Sequence, residues 1–307
     1  MTADRPLLGI LLMLCFCLLA PMGDAVAKLL SGHIPLGQLL LVRFTVQAAI
    51  LMPLVIRQGG IWRMSPRLVW LTTLRTLLHM AGIAFMFSAL KYLPLADAVA
   101  IAFVMPFIML MLGRFVLKEE VGFRRLAACA VGFAGTLLVI QPSFASVGWP
   151  ALLPLGVAVI FALFMLVTRQ LAKDIEPVAL QAVSGVIATG MMLPVLLAGT
   201  LLNLSDLHLQ LPNGPQWALL AAIGLLGTAA HLVMTWSLRF APASTLAPMQ
   251  YLEIPVATLV GWIVFHDLPN AEASLGICIT IAAGLYIVAR ENAMARAARR
   301  KPLKTPA

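Results

Sequence analysis

A single glutamate, Glu253, lies in the middle of a long apolar run and is the residue of this chain best placed to do chemistry. Pro248 and Pro255 bracket it, and prolines leave neighbouring backbone groups of a helix without hydrogen-bond partners. Gln250 lies three residues earlier on the same helical face, and Tyr251 is adjacent to Gln250. A carboxylate in an apolar layer is costly to keep, so Glu253 predicts substrate binding or proton coupling. A structural acid paired with an arginine is the alternative.

Further ionisable residues lie deep in other apolar runs. They are Arg43, Arg75 and, one helical turn after Arg75, His79, with His231 in a later run. A guanidinium in such a place could capture a carboxylate, a phosphate or a ring carbonyl. Arg43, Arg75 and His79 could equally be polar ties between neighbouring helices, and the sequence leaves both interpretations open.

Asp24 and Lys28 are four residues apart, which places them on one helical face near the end of the first apolar run. They predict either a gate or ligand contact, or a local ion pair. Pro106 lies in an earlier run at a position that matches the prolines around Glu253, and we expect it to line the same site. The sequence holds neither a His-Glu metal motif nor a glycine-rich phosphate loop, so no metal, no cofactor and no catalytic residue are predicted.

The composition shows what must hold these residues in place. Of the 307 residues, 62% are hydrophobic and 11% are charged, whereas a soluble domain carries about 25% charged residues. The chain is therefore predicted to be an all-α integral membrane protein, because one helical crossing takes about 20 apolar residues. Ten transmembrane helices are predicted, over residues 7–29, 35–56, 68–90, 95–117, 123–141, 149–170, 177–200, 215–238, 243–265 and 271–290.

The basic residues indicate the orientation of these helices. Of the 21 Lys and Arg residues, 17 lie at the termini or in the even-numbered connections, while Lys28 and Lys91 lie on the opposite side. This bias predicts a multi-pass protein of the bacterial inner membrane with both termini in the cytoplasm. The basic tail, 291–307, is predicted to be cytoplasmic and to touch anionic lipid. The net charge of +9 is thus explained by topology, and no nucleic-acid partner is expected.

The chain also repeats itself at an offset of 148 residues. The segment 89–94 (Ala-Leu-Lys-Tyr-Leu-Pro) is matched by 237–242 (Ser-Leu-Arg-Phe-Ala-Pro), and Gly113 is matched by Gly261. We therefore predict two halves, 8–141 and 149–290, of five transmembrane helices each. Because five is odd, the second half must be inverted in the membrane. Inverted repeats are typical of transporters, with a substrate site near the midplane. Small residues such as Gly132 and Gly276 predict close helix contacts, and a homodimer seam is a further expectation.

These features together resemble the drug/metabolite transporter superfamily, in its ten-helix branch with paired EamA repeats. The residues that carry the resemblance are Asp24 to Lys28, Arg43-Phe44, the run from Ala89 through Ala98, Val116 to Glu120, and Gly132 to Gly135. The segment Ala247 to Glu253 is similar to one shared by riboflavin and S-adenosylmethionine uptake carriers. His266-Asp267 departs from the family pattern, because the second half lacks the acidic pair seen at Glu119-Glu120.

The resemblance implies a secondary transporter that moves a small organic metabolite by alternating access, and no enzyme activity. Riboflavin uptake is the best-supported function from the sequence. An exporter of amino acids or drugs and an S-adenosylmethionine carrier are the alternatives, and a membrane-embedded transferase is a distant one. The candidate substrate-binding or coupling residues are Glu253, Gln250, Tyr251, Arg43, Arg75, His79, Asp24, Lys28 and Pro106.

Overall fold

The protein is a bundle of membrane-length helices. The computed structural model describes residues 5–59, 64–105, 107–108, 112, 123–241, 246 and 249–300. Its helices are α1 (Pro6–Leu30), α2 (Leu36–Arg57), α3 (Pro66–Leu90), α4 (Leu95–Ala102), α5 (Phe123–Val147), α6 (Leu153–Asp174), α7 (Pro177–Leu201), α8 (Gly214–Phe240), α9 (Glu253–Phe265) and α10 (Ala271–Arg300). A single 3₁₀ turn, Trp149–Leu152, precedes α6.

The predicted all-α fold with ten helices is confirmed. In the described part of the chain, seven segments are long and apolar enough to cross a bilayer: Leu7–Leu30, Leu36–Arg57, Pro66–Leu90, Ala130–Val147, Trp149–Asp174, Pro177–Leu201 and Gly214–Phe240. Glu253–Phe265 and Ala271–Tyr286 are shorter apolar helices, and α4 begins the fourth crossing. These ten segments correspond one by one to the ten predicted crossings.

The helix ends follow local chemistry. Asn213 and Gln216 form a capping box at the start of α8, and Ser65 and Glu176 accept hydrogen bonds from the first turns of α3 and α7. The helix α10 runs ten residues beyond its predicted end at 290, to Arg300. Alanine dominates this extension, and alanine has the highest helix propensity of all residues, so the helix continues into the basic tail.

The packing of equivalent helices shows that the two halves are inverted. Helix α2 lies against its counterpart α7, with Gly37 beside Leu196 and Phe44 beside Gly185. Rising residue numbers in one helix thus meet falling numbers in the other, so the two run antiparallel. The same holds for α5 and α10, where Gly135 meets Gly276 and Gly132 meets Ala283. These glycines therefore serve contacts within the chain, and a homodimer stays a prediction.

Two interrupted helices face each other in the centre of the bundle. Helix α4 ends at Ala102, and the amide of Val104 bonds to the carbonyl of Ile101 in a tighter turn. Helix α9 begins at Glu253, after a turn in which the amide of Ile254 bonds to the carbonyl of Tyr251. The two turns, 103–104 and 251–252, are 148 residues apart and so occupy equivalent positions in the two halves. Interrupted helices of this kind form substrate sites in transporters.

Candidate functional site

A cavity lies between the two halves, and side chains from both of them line it. It is bounded by the two interrupted helices and by α1, α2, α3, α6 and α8. Most of its lining is apolar and comprises Phe16, Ala20, Gly82, Ile83, Met86, Phe87, Val99, Ala102, Phe103, Met105, Val157, Ala158 and Phe161. Its polar lining residues are Asp24, Arg43, His79, His231, Gln250 and Glu253. Five of the nine residues predicted from the sequence are thus brought to one cavity.

The charged groups of the cavity are two carboxyls and one guanidinium. Asp24 lies on α1, Arg43 on α2 and Glu253 at the start of α9, and all three line the cavity. No direct ion pair joins any two of them among the residues that the structure describes. Arg43 extends across the bundle to α8, where its guanidinium lies against Gly227. Two acidic groups with one cationic neighbour form a site that can bind a cation, exchange a proton or accept polar ligand groups.

Two imidazoles form an aromatic wall of the cavity. The ring centroids of His79 and His231 are 4.1 Å apart, with the planes tilted by 51°. His79 also stacks on Phe164 at 4.7 Å, and Phe44 presents its edge to His79 at 5.2 Å. Phe16 packs edge-on against His231 at 5.7 Å. Together these rings give one side of the cavity an aromatic lining against which a planar ligand can pack.

Several polar atoms of the cavity have no hydrogen-bond partner among the described residues. They are Arg43 Nε, both ring nitrogens of His79, His231 Nδ1, and both Nε2 and Oε1 of Gln250. Leaving a buried polar group unsatisfied costs about 1–3 kcal/mol. Such groups in a native protein usually await a ligand, an ion or water. The cavity is therefore equipped to receive a molecule that brings both donors and acceptors.

Arg75 lies outside the cavity and ties four helices together. Its guanidinium donates to Thr168 of α6 at 2.9 Å, to Ser184 of α7 at 2.9 Å and to Thr235 of α8 at 3.5 Å. It also lies over the Phe164 ring at 4.7 Å, and the residue is fully buried. Of the two interpretations that the sequence left open for Arg75, the geometry favours the interhelical tie.

Lys28 pairs with the second half of the chain, and Asp24 is not its partner. Its Nζ donates to Asp267 Oδ2 and to the carbonyl of Leu93, both at 3.1 Å, and lies over the Phe265 ring at 4.7 Å. Although Asp24 and Lys28 share a helical face, Asp24 reaches the cavity while Lys28 joins the end of α1 to the end of α9. The local ion pair that the sequence allowed is absent between these two described residues.

Tyr251 and Pro106 are the remaining two predicted residues. Tyr251 is buried against Gly284 of α10, and its ring lies 5.3 Å from that of Phe103, which does line the cavity. Pro106 lies outside the described residues. His231 belongs to the cavity although it was not among the nine predicted residues, and its position mid-helix in α8 was the available signal. The contact of Gly227 with Arg43 had no signal in the sequence.

Comparisons with known proteins agree with this architecture. The chain is 27% identical over 256 residues to a protein named riboflavin transporter from Brucella anthropi, covering 83% of this chain and 89% of that protein. It is 26% identical to a riboflavin transporter from Vibrio cholerae, over 95% of this chain and 96% of that protein. An S-adenosylmethionine uptake transporter from Rickettsia prowazekii is 22% identical over 92% of this chain and 93% of that protein.

A solved crystal structure has the same fold. It superposes with a TM-score of 0.65 at 21% sequence identity, covering 93% of this chain and 96% of that structure. The family model of the EamA-like transporters matches the chain twice, over residues 7–141 and 148–289. With nearly the whole chain matched and the two halves packed as an inverted pair, the protein belongs to the EamA-like transporter family.

Proposed function

We propose that this protein is a secondary carrier that moves a small organic metabolite across the bacterial inner membrane by alternating access, with riboflavin as its substrate. The observation that carries the proposal is the cavity between the two inverted halves, with its aromatic wall and its unsatisfied polar atoms. Relatives named riboflavin transporter, each matched over most of its length, support the choice of riboflavin. A flat, mostly uncharged ring system with polar edges suits such a lining.

In this proposal the polar residues of the cavity have distinct roles. Arg43 and Gln250 bind polar groups of the substrate, and His79 stacks against its ring. Glu253 and Asp24 are the coupling or substrate-binding acids, because ionisable groups at this depth are kept for function. Lys28 acts through its ion pair with Asp267 and so belongs to a gate between the halves. Arg75 and Tyr251 support the packing around the site.

The two halves, 8–141 and 149–290, are then the moving parts, with substrate bound where they meet. We infer that both termini are cytoplasmic, because the basic residues lie overwhelmingly on that side. The tail 291–307 then begins within α10 and lies at the cytoplasmic surface.

A second substrate is favoured by a specific observation. The cavity holds two carboxyls, Asp24 and Glu253, against one guanidinium, Arg43. This excess of acid suits a cationic ligand such as S-adenosylmethionine, and relatives that carry that name match most of the chain. Export of amino acids or drugs remains a third option, because a carrier moves its substrate in the direction of the coupled gradient.

The test is uptake of labelled riboflavin and labelled S-adenosylmethionine by proteoliposomes containing the purified full chain. Empty liposomes are the control, and the amount of inserted protein is measured in each preparation. We expect saturable riboflavin uptake that excess unlabelled riboflavin abolishes. Saturable uptake of S-adenosylmethionine without uptake of riboflavin would identify S-adenosylmethionine as the substrate in place of riboflavin. Absence of both, with protein correctly inserted, would overturn the vitamin proposal and its alternative together.

A further inference from the structure

We propose that Gln250 is the specificity-determining residue of the cavity, and that its carboxamide pairs with an amide-like edge of a planar heterocycle that lies along the His79–His231 wall. An amide-like edge here means a hydrogen-bond donor and an acceptor on neighbouring atoms of the ring. The inference rests on the proposed function and narrows it to a substrate class.

The unsatisfied polar atoms of the protein are concentrated at this cavity. Of the seven residues that have such atoms in the described part of the chain, four line it: Arg43, His79, His231 and Gln250. Among these four, Gln250 and His79 have every polar atom of their side chains unsatisfied. Gln250 is 1% exposed, so water from outside the protein does not satisfy its amide. The partner of the carboxamide therefore comes from inside the cavity, as a ligand group or as water that a ligand displaces.

The chemistry of a carboxamide restricts what that partner can be. Its Oε1 accepts and its Nε2 donates, in one plane and side by side. Two neighbouring bonds form only with a ligand that presents a donor next to an acceptor in the same plane, as when glutamine reads adenine. A carboxylate or a phosphate offers acceptors alone and leaves Oε1 unsatisfied. The imide edge of a flavin ring and the amidine edge of adenine both satisfy the requirement.

The backbone next to Gln250 is tied to α1. The residue lies immediately before the turn that starts α9, and the preceding carbonyl, of Met249, accepts a hydrogen bond from Cys17 Sγ of α1 at 3.4 Å. The equivalent residue in the first half, 148 positions earlier, is Ala102, which also lines the cavity but has no polar side-chain atom. The donor–acceptor pair is therefore supplied by the second half alone.

The aromatic wall, which contains His79 and His231, provides stacking contacts for the same ligand. His79 and His231 lie 4.1 Å apart with tilted planes, and Phe161 and Phe164 pack around His231 at 6.4 Å and 6.0 Å. A planar ring lying along these residues gains stacking contact while its edge stays free for the amide. Transfer of a flavin from water into this mostly apolar cavity changes its fluorescence, which gives a direct readout.

The experiment measures binding by the purified full-length protein. The probes are riboflavin, riboflavin methylated on its imide nitrogen, and adenosine, followed by flavin fluorescence or by competition. We expect methylation, which removes the ring donor, to weaken binding about tenfold or more, because a site built to hydrogen-bond rejects ligands that lack the group. Gln250→Met should weaken riboflavin binding to a similar extent and should no longer distinguish riboflavin from its methylated form. Gln58→Met, an exposed glutamine outside the cavity, is the matched control and should behave as wild type.

The outcomes separate the two proposals. Tight riboflavin binding with no loss on methylation, or with Gln250→Met equal to the control, overturns the role of Gln250 and leaves the carrier proposal standing. Binding of adenosine but not riboflavin assigns the same edge chemistry to adenine, provided that Gln250→Met weakens it. Absence of binding by every probe overturns both proposals. If Gln250→Met does not fold, binding of riboflavin and of its methylated form to the wild-type protein still tests whether the site requires the imide donor.

Discussion

The rings of Phe103 and Tyr251 lie 5.3 Å apart, centroid to centroid, and the two residues are 148 positions apart in the chain. They therefore occupy the same place in each half and meet where the two interrupted helices come together. Around this contact the backbone is nearly symmetric but the side chains are not. Glu253 corresponds to Met105, so the equivalent position of the first half has no acid.

Glu253→Gln tests the acid directly. The change keeps the size of the side chain but removes its ability to bind and release a proton. We expect the initial rate of uptake to fall about tenfold or more, because an interaction with a charged group is worth about 1.5–3 kcal/mol. Glu272→Gln, on the exposed first turn of α10, is the matched control. Unchanged transport by Glu253→Gln would remove Glu253 from the mechanism.

Gly227→Ala tests the position of Arg43 without changing Arg43 itself. A Cβ at residue 227 would overlap the guanidinium of Arg43, which is the mobile end of a long side chain. We expect the guanidinium to shift, so that substrate affinity falls about tenfold while thermal stability changes little. Gly190→Ala is the control, because its Cβ would meet open space. An equal affinity for the two variants would show that the position of Arg43 does not matter.

The ion pair between Lys28 and Asp267 is expected to hold the two halves together at the end of α1. Asp267→Asn should therefore favour opening at that end. With the native cysteines replaced and Ala20, which lines the cavity, changed to cysteine, labelling by an impermeant maleimide should rise about two- to fivefold, since partly exposed pairs contribute about 0.2–1 kcal/mol.

Two controls accompany this measurement. The exchange Lys28→Asp with Asp267→Lys restores opposite charges and should return labelling towards the wild-type level. Disruption of the more exposed pair between Lys91 and Asp206 should have the smaller effect. Equal labelling of all variants would contradict a gate at this position.

Arg75→Lys should destabilise the protein although it keeps the charge. An ammonium group cannot reproduce the fork that reaches Thr168, Ser184 and Thr235 on three helices. We expect the free energy of unfolding to fall by about 2–4 kcal/mol, from one or two lost hydrogen bonds to a charged group. Thermal melting in detergent measures it, with Arg239→Lys at the end of α8 as the control. Melting at the wild-type temperature would show that Arg75 is no structural tie.

In contrast to Arg75→Lys, the change His79→Leu should leave the stability of the protein intact and weaken substrate binding. Both ring nitrogens of His79 lack hydrogen-bond partners among the described residues, so their removal breaks no bond within that part of the protein. We expect the melting temperature to stay the same or rise, while riboflavin binding weakens about tenfold because the imidazole wall is lost. A large loss of stability together with normal binding would place His79 among the packing residues instead.

The helices were predictable because long apolar runs are a strong signal, and the antiparallel arrangement followed from an odd number of crossings per half. The cavity was predictable only in part. Sequence spacing shows that Asp24 and Lys28 share a face, but four residues of helix span about 6 Å along the axis. That distance separates Asp24, which lines the cavity, from Lys28, which lies near the end of α1 and forms an ion pair with Asp267.

The different roles of Arg43 and Arg75 depend on contacts with helices that are distant in the sequence. Arg43 and Arg75 look alike in sequence, each deep in an apolar run. Arg75 meets hydroxyls from three other helices, whereas Arg43 meets Gly227 and keeps an unsatisfied Nε. Only the packing of α6, α7 and α8 reveals this difference, because nothing near either arginine in the chain encodes it.

The two interrupted helices also create a field across the cavity. Helix α4 ends beside it, at Ala102, while α9 begins beside it, at Glu253. A helix carries about half a positive charge at its amino end and about half a negative charge at its carboxyl end. Because both helices are interrupted, a carboxyl end and an amino end meet at each turn, so each half presents both polarities to the cavity. A dipolar substrate therefore meets partial charges of both signs from the backbone of either half, in addition to the side chains that line the cavity.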